Sequence, residues 1–160
     1  MPVHVGVVGS GDSDPITDEI AERIGREVAQ AGAVLVCGGL GGVMEAAGRG
    51  AAGAGGLTIG LLPGAERSAA NRWVGAVIPT GRGELRNALI VRSSDVVIAI
   101  GGEYGTLSEV AFALKLGRPV VGVSTWNLTR PDGTREAGVV VSGVEDAVLR
   151  ALKLARASSA

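Results

Sequence analysis

Short apolar runs alternate along the chain with stretches in which apolar residues recur every three or four positions. The runs are rich in valine, isoleucine and leucine, as in strands that are buried on both faces of a parallel sheet. From Ile16 to Val28 an apolar residue returns at every fourth position, which is the spacing of one helix face. This pattern predicts strands over residues 3–9, 33–37, 57–62, 74–78, 95–100 and 119–123, and helices over 16–31, 43–54, 84–93 and 106–116.

Strands that alternate with helices favour a Rossmann-like, doubly wound α/β fold. We expect a mostly parallel sheet of six or seven strands with helices on both faces. Residues 1–157 are interpreted as a single domain, with fraying from Arg156 and a frayed tail over 158–160.

The last quarter of the chain is more polar. Residues 124–137 carry a Pro-Asp-Gly turn signal and predict a surface loop or small hairpin, with Trp126 as its candidate anchor. Residues 139–141 predict a short edge strand. Ser142 and Glu145 fit the capping box of a final helix.

The composition narrows the function. Apolar residues make up 46% of the chain and aromatic residues only 2%, so the core has to be aliphatic. The formal net charge of −1 argues against a nucleic-acid partner. Cys37 and His4 are each the only residue of their type, which disfavours disulfides, a metal site and a Ser-His-Asp triad. Without a signal segment or a membrane-spanning stretch, we expect a cytoplasmic protein with no membrane partner.

Many of the 27 glycines fall where predicted strands end. Four such turns, at residues 9–11, 38–42, 63–64 and 101–106, follow strands of the expected parallel sheet. Ligands of such sheets bind beyond the carboxyl ends of the strands. We therefore predict one crevice, formed by these four turns.

Residues 101–109 carry the strongest signal for chemistry. A buried strand, a glycine-rich turn and a helix in this order present free backbone amides to an anion, most often phosphate. Gly101, Gly102, Gly105 and Thr106 are the candidate phosphate-binding residues, with Glu109 one turn into the helix. Thr106 and Glu109 also fit a capping box, and the sequence leaves both interpretations open for Glu109.

Two other turns have ligand-binding and purely structural interpretations. The first glycine turn resembles the start of a dinucleotide fingerprint, but Asp14 occupies the place of its third glycine, and no P-loop motif is present. It predicts either a ligand contact or a tight turn. The second turn predicts a ligand contact or close packing of the next helix. The candidates in these two turns and the following helix are Gly9, Ser10, Gly39, Gly41, Gly42 and Met44.

Arg86 and Asn87 lie on the helix before the fifth strand. An arginine can bind phosphate through two parallel hydrogen bonds and outweighs a helix dipole. Arg86 is the candidate cation of the crevice, among several arginines that we expect to be solvated.

The residues 37–47, 60–64, Arg86-Asn87 and 101–109 resemble the Lonely Guy superfamily, often labelled "possible lysine decarboxylase". The resemblance covers nearly all of residues 3–123. It implies a nucleoside 5′-monophosphate phosphoribohydrolase in which Arg86 and Glu109 are catalytic, and no lysine decarboxylase activity. Asn87 stands in place of the family's lysine, and Gly101 and Glu103 in place of a proline and a glycine. These departures are similar to a branch that includes the algal molybdenum cofactor carrier protein.

The resemblance leaves three functions open: the hydrolase, a non-catalytic carrier of a pterin phosphate, and a nucleotide sensor. All three use one small phosphorylated ligand (phosphate, an AMP-like nucleotide or molybdopterin) and require no further cofactor. The helix over 107–116 is apolar on nearly every side, which predicts a homodimer or higher homo-oligomer, as the resemblance also implies. The alternative is that the 124–137 loop covers this helix.

Overall fold

The computed structural model describes residues 1–158. In this part of the chain, seven strands form one parallel sheet in the order β4-β3-β2-β1-β5-β6-β7. The strands are β1 (His4–Gly9), β2 (Val34–Cys37), β3 (Thr58–Leu62), β4 (Ala76–Pro79), β5 (Val96–Ile100), β6 (Val120–Val123) and β7 (Val139–Val141). The prediction of a doubly wound α/β fold is confirmed, and β7 is the expected edge strand.

Five α-helices accompany the strands within the described residues. They are α1 (Pro15–Gln30), α2 (Val43–Gly53), α3 (Arg86–Arg92), α4 (Tyr104–Lys115) and α5 (Ala147–Ser158). Alternate strand residues face opposite sides of the sheet. In β5, Val96 and Ile98 pack in the cluster that contains α1, α2 and α5, whereas Val97 and Ala99 pack with α3 and α4. Both core clusters are aliphatic, as the composition required.

The structure differs from the prediction at the start of α4 and at both ends of α5. The helix predicted from Thr106 begins at Tyr104, because the amide of Leu107 already donates to the carbonyl of Glu103 at 3.0 Å. The Ser142 capping box does not form. The Ser142 amide extends the sheet by donating to Gly122 O at 2.9 Å, and α5 starts only at Ala147. Helix α5 continues past Arg156, where we expected fraying, to Ser158.

Smaller differences concern other boundaries. A 3₁₀ turn over Gly83–Leu85 precedes α3, so this helix starts two residues later than expected. Strand β4 lies two residues further along the chain at its start. Residues 159 and 160 of the predicted tail lie outside the described residues.

The hairpin predicted between β6 and β7 is present and touches the site region. Thr129 and Arg135 form an antiparallel bridge within it. The hydroxyl of Thr125 donates to Gly101 O at 2.6 Å, and the indole Nε1 of Trp126 donates to Glu103 O at 3.2 Å. Trp126 is therefore the anchor that the sequence suggested, and the hairpin holds the turn between β5 and α4.

Candidate functional site

The chain reverses its direction across the sheet at β1, which lies between β2 and β5. Such a switch point opens a crevice between the loops that follow the two neighbouring strands. A cleft of about 640 Å³ lies there, and the turns after β1, β2, β3 and β5 each contribute to it. The described residues that line it are Gly9, Ser10, Gly11, Leu40, Met44, Pro63, Glu84, Leu85, Arg86, Asn87, Glu103, Tyr104, Gly105, Thr106, Ser108, Glu109 and Phe112.

The floor of the cleft is the start of α4. Gly101 and Gly102 turn the chain with φ of 53° and 112°, and Glu103 stands at the helix N-cap without a side-chain capping bond. The amides of Tyr104, Gly105 and Thr106 fall in the first helical turn, where a helix offers no acceptor for them. These amides form the positive end of the helix dipole, which attracts an anion.

Thr106 adds a hydroxyl to this floor. The residue is only 2% exposed, and its Oγ1 is buried with no hydrogen-bond partner among residues 1–158. A buried hydroxyl without a partner costs free energy. The capping role predicted for Thr106 is wrong, because the residue lies inside the helix.

Arg86 lies beside the cleft at the start of α3 and is 8% exposed. Its Nη1 donates to Gly38 O at 2.7 Å and to Leu61 O at 2.6 Å, so the guanidinium joins the ends of β2 and β3. A Cβ on Gly38 would lie 2.2 Å from Nη1, which explains the glycine there. Nε of Arg86 is buried without a partner in the described chain.

Glu109 is 7% exposed and lines the cleft from the second turn of α4. Burial raises the pKa of its carboxyl to about 8, although the positive charge of Arg86 opposes this shift. Among residues 1–158, the two side chains form no salt bridge. The capping interpretation that the sequence left open for Glu109 does not apply, because α4 starts at Tyr104. With a pKa of about 8, the carboxyl is neutral for the most part at pH 7.

Burial also shifts the pKa values of two further groups nearby, Arg86 and Cys37. It lowers the pKa of Arg86, with the negative charge of Glu109 opposing the effect. It raises the pKa of the Cys37 thiol to about 11, so this cysteine is a neutral core residue. Among residues 1–158, no three side chains of His, Cys, Asp or Glu lie close enough together to hold a metal ion.

The second glycine turn is filled by the protein itself. Gly42, with φ of 60°, packs so closely on the first turn that a Cβ would lie 2.3 Å from Ser10 O. The amide of Val43, at the start of α2, donates to the same carbonyl at 3.0 Å. Gly39, Gly41 and Gly42 are not among the residues that line the cleft. The geometry of this turn favours the close-packing interpretation.

Of the other predicted residues, Gly9, Ser10, Met44, Asn87 and Gly105 line the cleft, whereas Gly101 and Gly102 form the turn behind it. Asn87 also bridges two helices. Its Nδ2 donates to Ser108 Oγ at 3.1 Å, and that hydroxyl donates to Gly105 O at 2.6 Å.

Sequence reasoning missed the apolar side of the cleft. Tyr104 and Leu85 are 78% and 75% exposed and line it, together with Phe112. The rarity of aromatic residues in this chain was a signal that could have drawn attention to Tyr104 and Phe112.

A second hollow, of about 680 Å³, lies at the amino ends of the strands near His4, Asp95 and Arg156. The buried polar side-chain atoms without partners in residues 1–158 belong to Thr58, Arg86 and Thr106, and none of these residues lines it. The first cleft is therefore the better candidate site. In addition, no helix in the described part of the chain is long and apolar enough to cross a bilayer.

Residues 2–150 match the model of the SLOG cluster4 family. A protein from Archaeoglobus fulgidus is 46% identical over 121 residues, which cover 76% of this chain and 80% of the relative. The structure of the molybdenum cofactor binding protein from the phototrophic bacterium Rippkaea orientalis is similar with a TM-score of 0.83 at 34% identity, covering 100% of this chain and 99% of that one. The Moco carrier protein from Chlamydomonas reinhardtii gives a TM-score of 0.82 at 34% identity, with 99% of both chains covered. These findings agree with the branch indicated by the residues at positions 87, 101 and 103.

Proposed function

The chain belongs to the SLOG cluster4 family, and from this premise we propose that it binds a phosphorylated pterin cofactor in the cleft and releases it chemically unchanged. The ligand class comes from the molybdenum cofactor binding and carrier proteins to which the chain is similar over almost its whole length. In this proposal the molybdenum-bearing pterin is cargo, and its phosphate end is what the cleft holds.

The observation that carries the proposal is the uncapped start of α4 with its unpartnered polar neighbours. No side chain caps the first-turn amides, and Thr106 Oγ1 and Arg86 Nε are buried donors without an acceptor in the described protein. A phosphate offers several acceptor oxygens and fits this set, and charge-assisted hydrogen bonds are the stronger kind. The residues present therefore suit the phosphate of such a cofactor.

The charges of the cleft favour transport over tight retention. Arg86 is the cation among the lining residues, and Glu84 and Glu103 are exposed carboxylates at the rim. These carboxylates reduce the attraction for an anionic ligand. Moderate affinity suits a protein that hands its ligand on.

The hydrolase is the second candidate, and the raised pKa of Glu109 is the observation that favours it. A neutral carboxyl in the cleft can act as a general acid toward the leaving base of a nucleoside monophosphate, an effect worth about 10²–10⁴-fold in rate. Against this role, Arg86 already donates to the carbonyls of Gly38 and Leu61. A guanidinium committed to the sheet is less free to position a ribose.

One experiment separates the two functions. The protein is incubated with AMP and, separately, with a monophosphorylated pterin, and chromatography measures free base, ribose 5-phosphate and bound ligand. We expect the pterin to be bound and recovered unchanged, with no base released from AMP. Base release that disappears in Glu109→Gln would establish the hydrolase and overturn the carrier. A fluorescent pterin that co-purifies with the protein would support the carrier over a nucleotide sensor.

We also propose that α4 forms the interface of a homodimer, as the sequence predicts. On this helix, Leu107 is partly exposed and Ala111 is exposed. Leu114 of α4 packs against the core cluster beneath α3 and α4, and so does Leu128 of the hairpin. The hairpin therefore covers one side of α4 and leaves another for a second copy. Light scattering should give twice the chain mass of 15.9 kDa, and a monomer would contradict the dimer.

A further inference from the structure

The aromatic residues of this protein are unevenly placed. The chain has four of them in 160 residues: two tryptophans, one tyrosine and one phenylalanine. Tyr104 and Phe112 line the cleft, and Trp126 contacts Tyr104. Trp73 lies apart, with the Arg72 guanidinium 4.5 Å from its ring centroid. Because the core clusters are aliphatic, the aromatic residues at the cleft do not serve the core.

The Tyr104 ring packs against the ring of Trp126. Its centroid lies 5.8 Å from that of Trp126, with an angle of 37° between the rings. The indole is fixed in turn by its hydrogen bond to Glu103 O at 3.2 Å. Tilted aromatic pairs of this kind attract each other beyond the area they bury. Tyr104 is thus 78% exposed, and its contact with Trp126 nevertheless fixes the position of its ring.

The Tyr104 ring lies in the same cleft as the proposed anion site. Tyr104 is the first residue of α4, so its backbone lies among the first-turn amides while its side chain lies on the wall of the cleft. Leu85 and Phe112 extend the same wall with further exposed apolar surface. The cleft consequently combines donors for a phosphate with an exposed apolar wall.

We propose that Tyr104, braced by Trp126, is the platform on which the planar ring of the ligand stacks while its phosphate binds at the start of α4. This inference rests on the proposed function and adds its specificity. The site selects a phosphorylated compound with a planar heteroaromatic ring over a sugar phosphate or inorganic phosphate. Thr125 and Trp126 are positioning residues, since they hold the turn and the ring without reaching the ligand.

The test compares Tyr104→Ala with Tyr104→Phe, which keeps the ring. Calorimetry measures the Kd of three probes: a monophosphorylated pterin, AMP and ribose 5-phosphate. Stacking predicts that Tyr104→Ala weakens the pterin and AMP about tenfold and leaves ribose 5-phosphate within twofold, and that Tyr104→Phe stays close to the parent. Equal affinity of parent and Tyr104→Ala for both ring probes would overturn the platform. An equal loss for all three probes would also overturn it, since Tyr104 would then only support the helix start.

A fluorescence titration supplies the second readout. In a Trp73→Phe background, Trp126 is the only tryptophan of the chain. We expect the pterin and AMP to change its emission, and ribose 5-phosphate to leave it unchanged. Failure of the phosphate site is distinguishable. If unphosphorylated pterin binds as well as the phosphate ester and depends on Tyr104, the platform stands and the phosphate proposal falls. If no ring compound binds, the platform itself is refuted.

Discussion

The turn after β2 and the turn after β5 both place glycines between a buried strand and a helix, yet their backbone groups meet different partners. At the start of α2, the amide of Val43 is taken by Ser10 O, and Gly42 packs directly on the same carbonyl. At the start of α4, no side chain caps the helix and the first-turn amides line an open cleft. Glycine content alone therefore does not identify an anion site. What distinguishes the two turns is whether the protein supplies its own acceptor.

The largest expected effect comes from a substitution in the turn after β2, where the protein supplies its own acceptor. Gly42→Ala puts a Cβ 2.3 Å from Ser10 O at a residue with φ of 60°, so strain and a clash add. We expect the free energy of unfolding, measured with urea, to fall by about 3 kcal/mol or more.

The control is Gly105→Ala at the start of α4, directly after the open turn. A Cβ there has its nearest neighbour, Asn87 Nδ2, at 3.9 Å, and the residue is helical. Alanine should leave stability equal or raise it by up to about 1 kcal/mol. Equal losses at both positions would show that the turns do not differ as described.

Arg86→Met removes the side chain that joins the two strand ends. The carbonyls of Gly38 and Leu61 lose their donor, and an unsatisfied buried group costs about 1–3 kcal/mol. Denaturation should show a loss of about 2–3 kcal/mol, whereas Arg92→Met, exposed on the same helix, should change stability by less than about 0.5 kcal/mol. A stable Arg86→Met protein that merely loses ligand binding would mean that the arginine serves the ligand alone.

The sequence predicts the elements and the cleft, but it does not predict the contacts tested by the glycine and Arg86 substitutions. The order of strands and helices follows from local hydrophobic spacing, and the cleft follows from where parallel strands end. The partners of Arg86 do not, because Gly38 and Leu61 are 48 and 25 residues away in the chain. The capping-box pattern at Ser142 failed because its amide bonds to Gly122 O in the neighbouring strand, a partner 20 residues away in the chain. The pattern at Thr106 failed because α4 already begins at Tyr104, with the Leu107 amide bonded to Glu103 O.

The buried carboxyl of the open site predicts a pH dependence. The pKa of Glu109 is raised from 4.5 to about 8, so the folded protein holds a proton there that the unfolded chain has lost. Stability contributed by this group is complete below pH 4.5 and is lost as the pH rises through about 8. Affinity for an anionic ligand should fall over pH 7–9 as the carboxyl ionises.

Glu109→Gln should flatten both dependences. We expect the free energies of unfolding at pH 6 and pH 8, measured by thermal denaturation, to differ less in this variant than in the parent, by about 2 kcal/mol. Identical pH profiles for the two proteins would contradict a raised pKa.

The smallest stability effect distinguishes a ligand group from a structural one. Thr106→Val and Thr58→Val each remove a buried hydroxyl without a partner in residues 1–158, one beside the cleft and one in β3. Both changes should raise stability by up to about 1 kcal/mol. Calorimetry with a monophosphorylated pterin should show weaker binding in Thr106→Val only. Unchanged affinity in Thr106→Val would remove this hydroxyl from the proposed site.

The most direct measurement is an NMR titration of the backbone amides with a monophosphorylated pterin. If the start of α4 binds the phosphate, the amide signals of Tyr104, Gly105 and Thr106 shift with a single saturating Kd, while that of Val43, already bonded to Ser10 O, stays in place. Unmoved signals at Tyr104–Thr106 under saturating ligand would contradict the account.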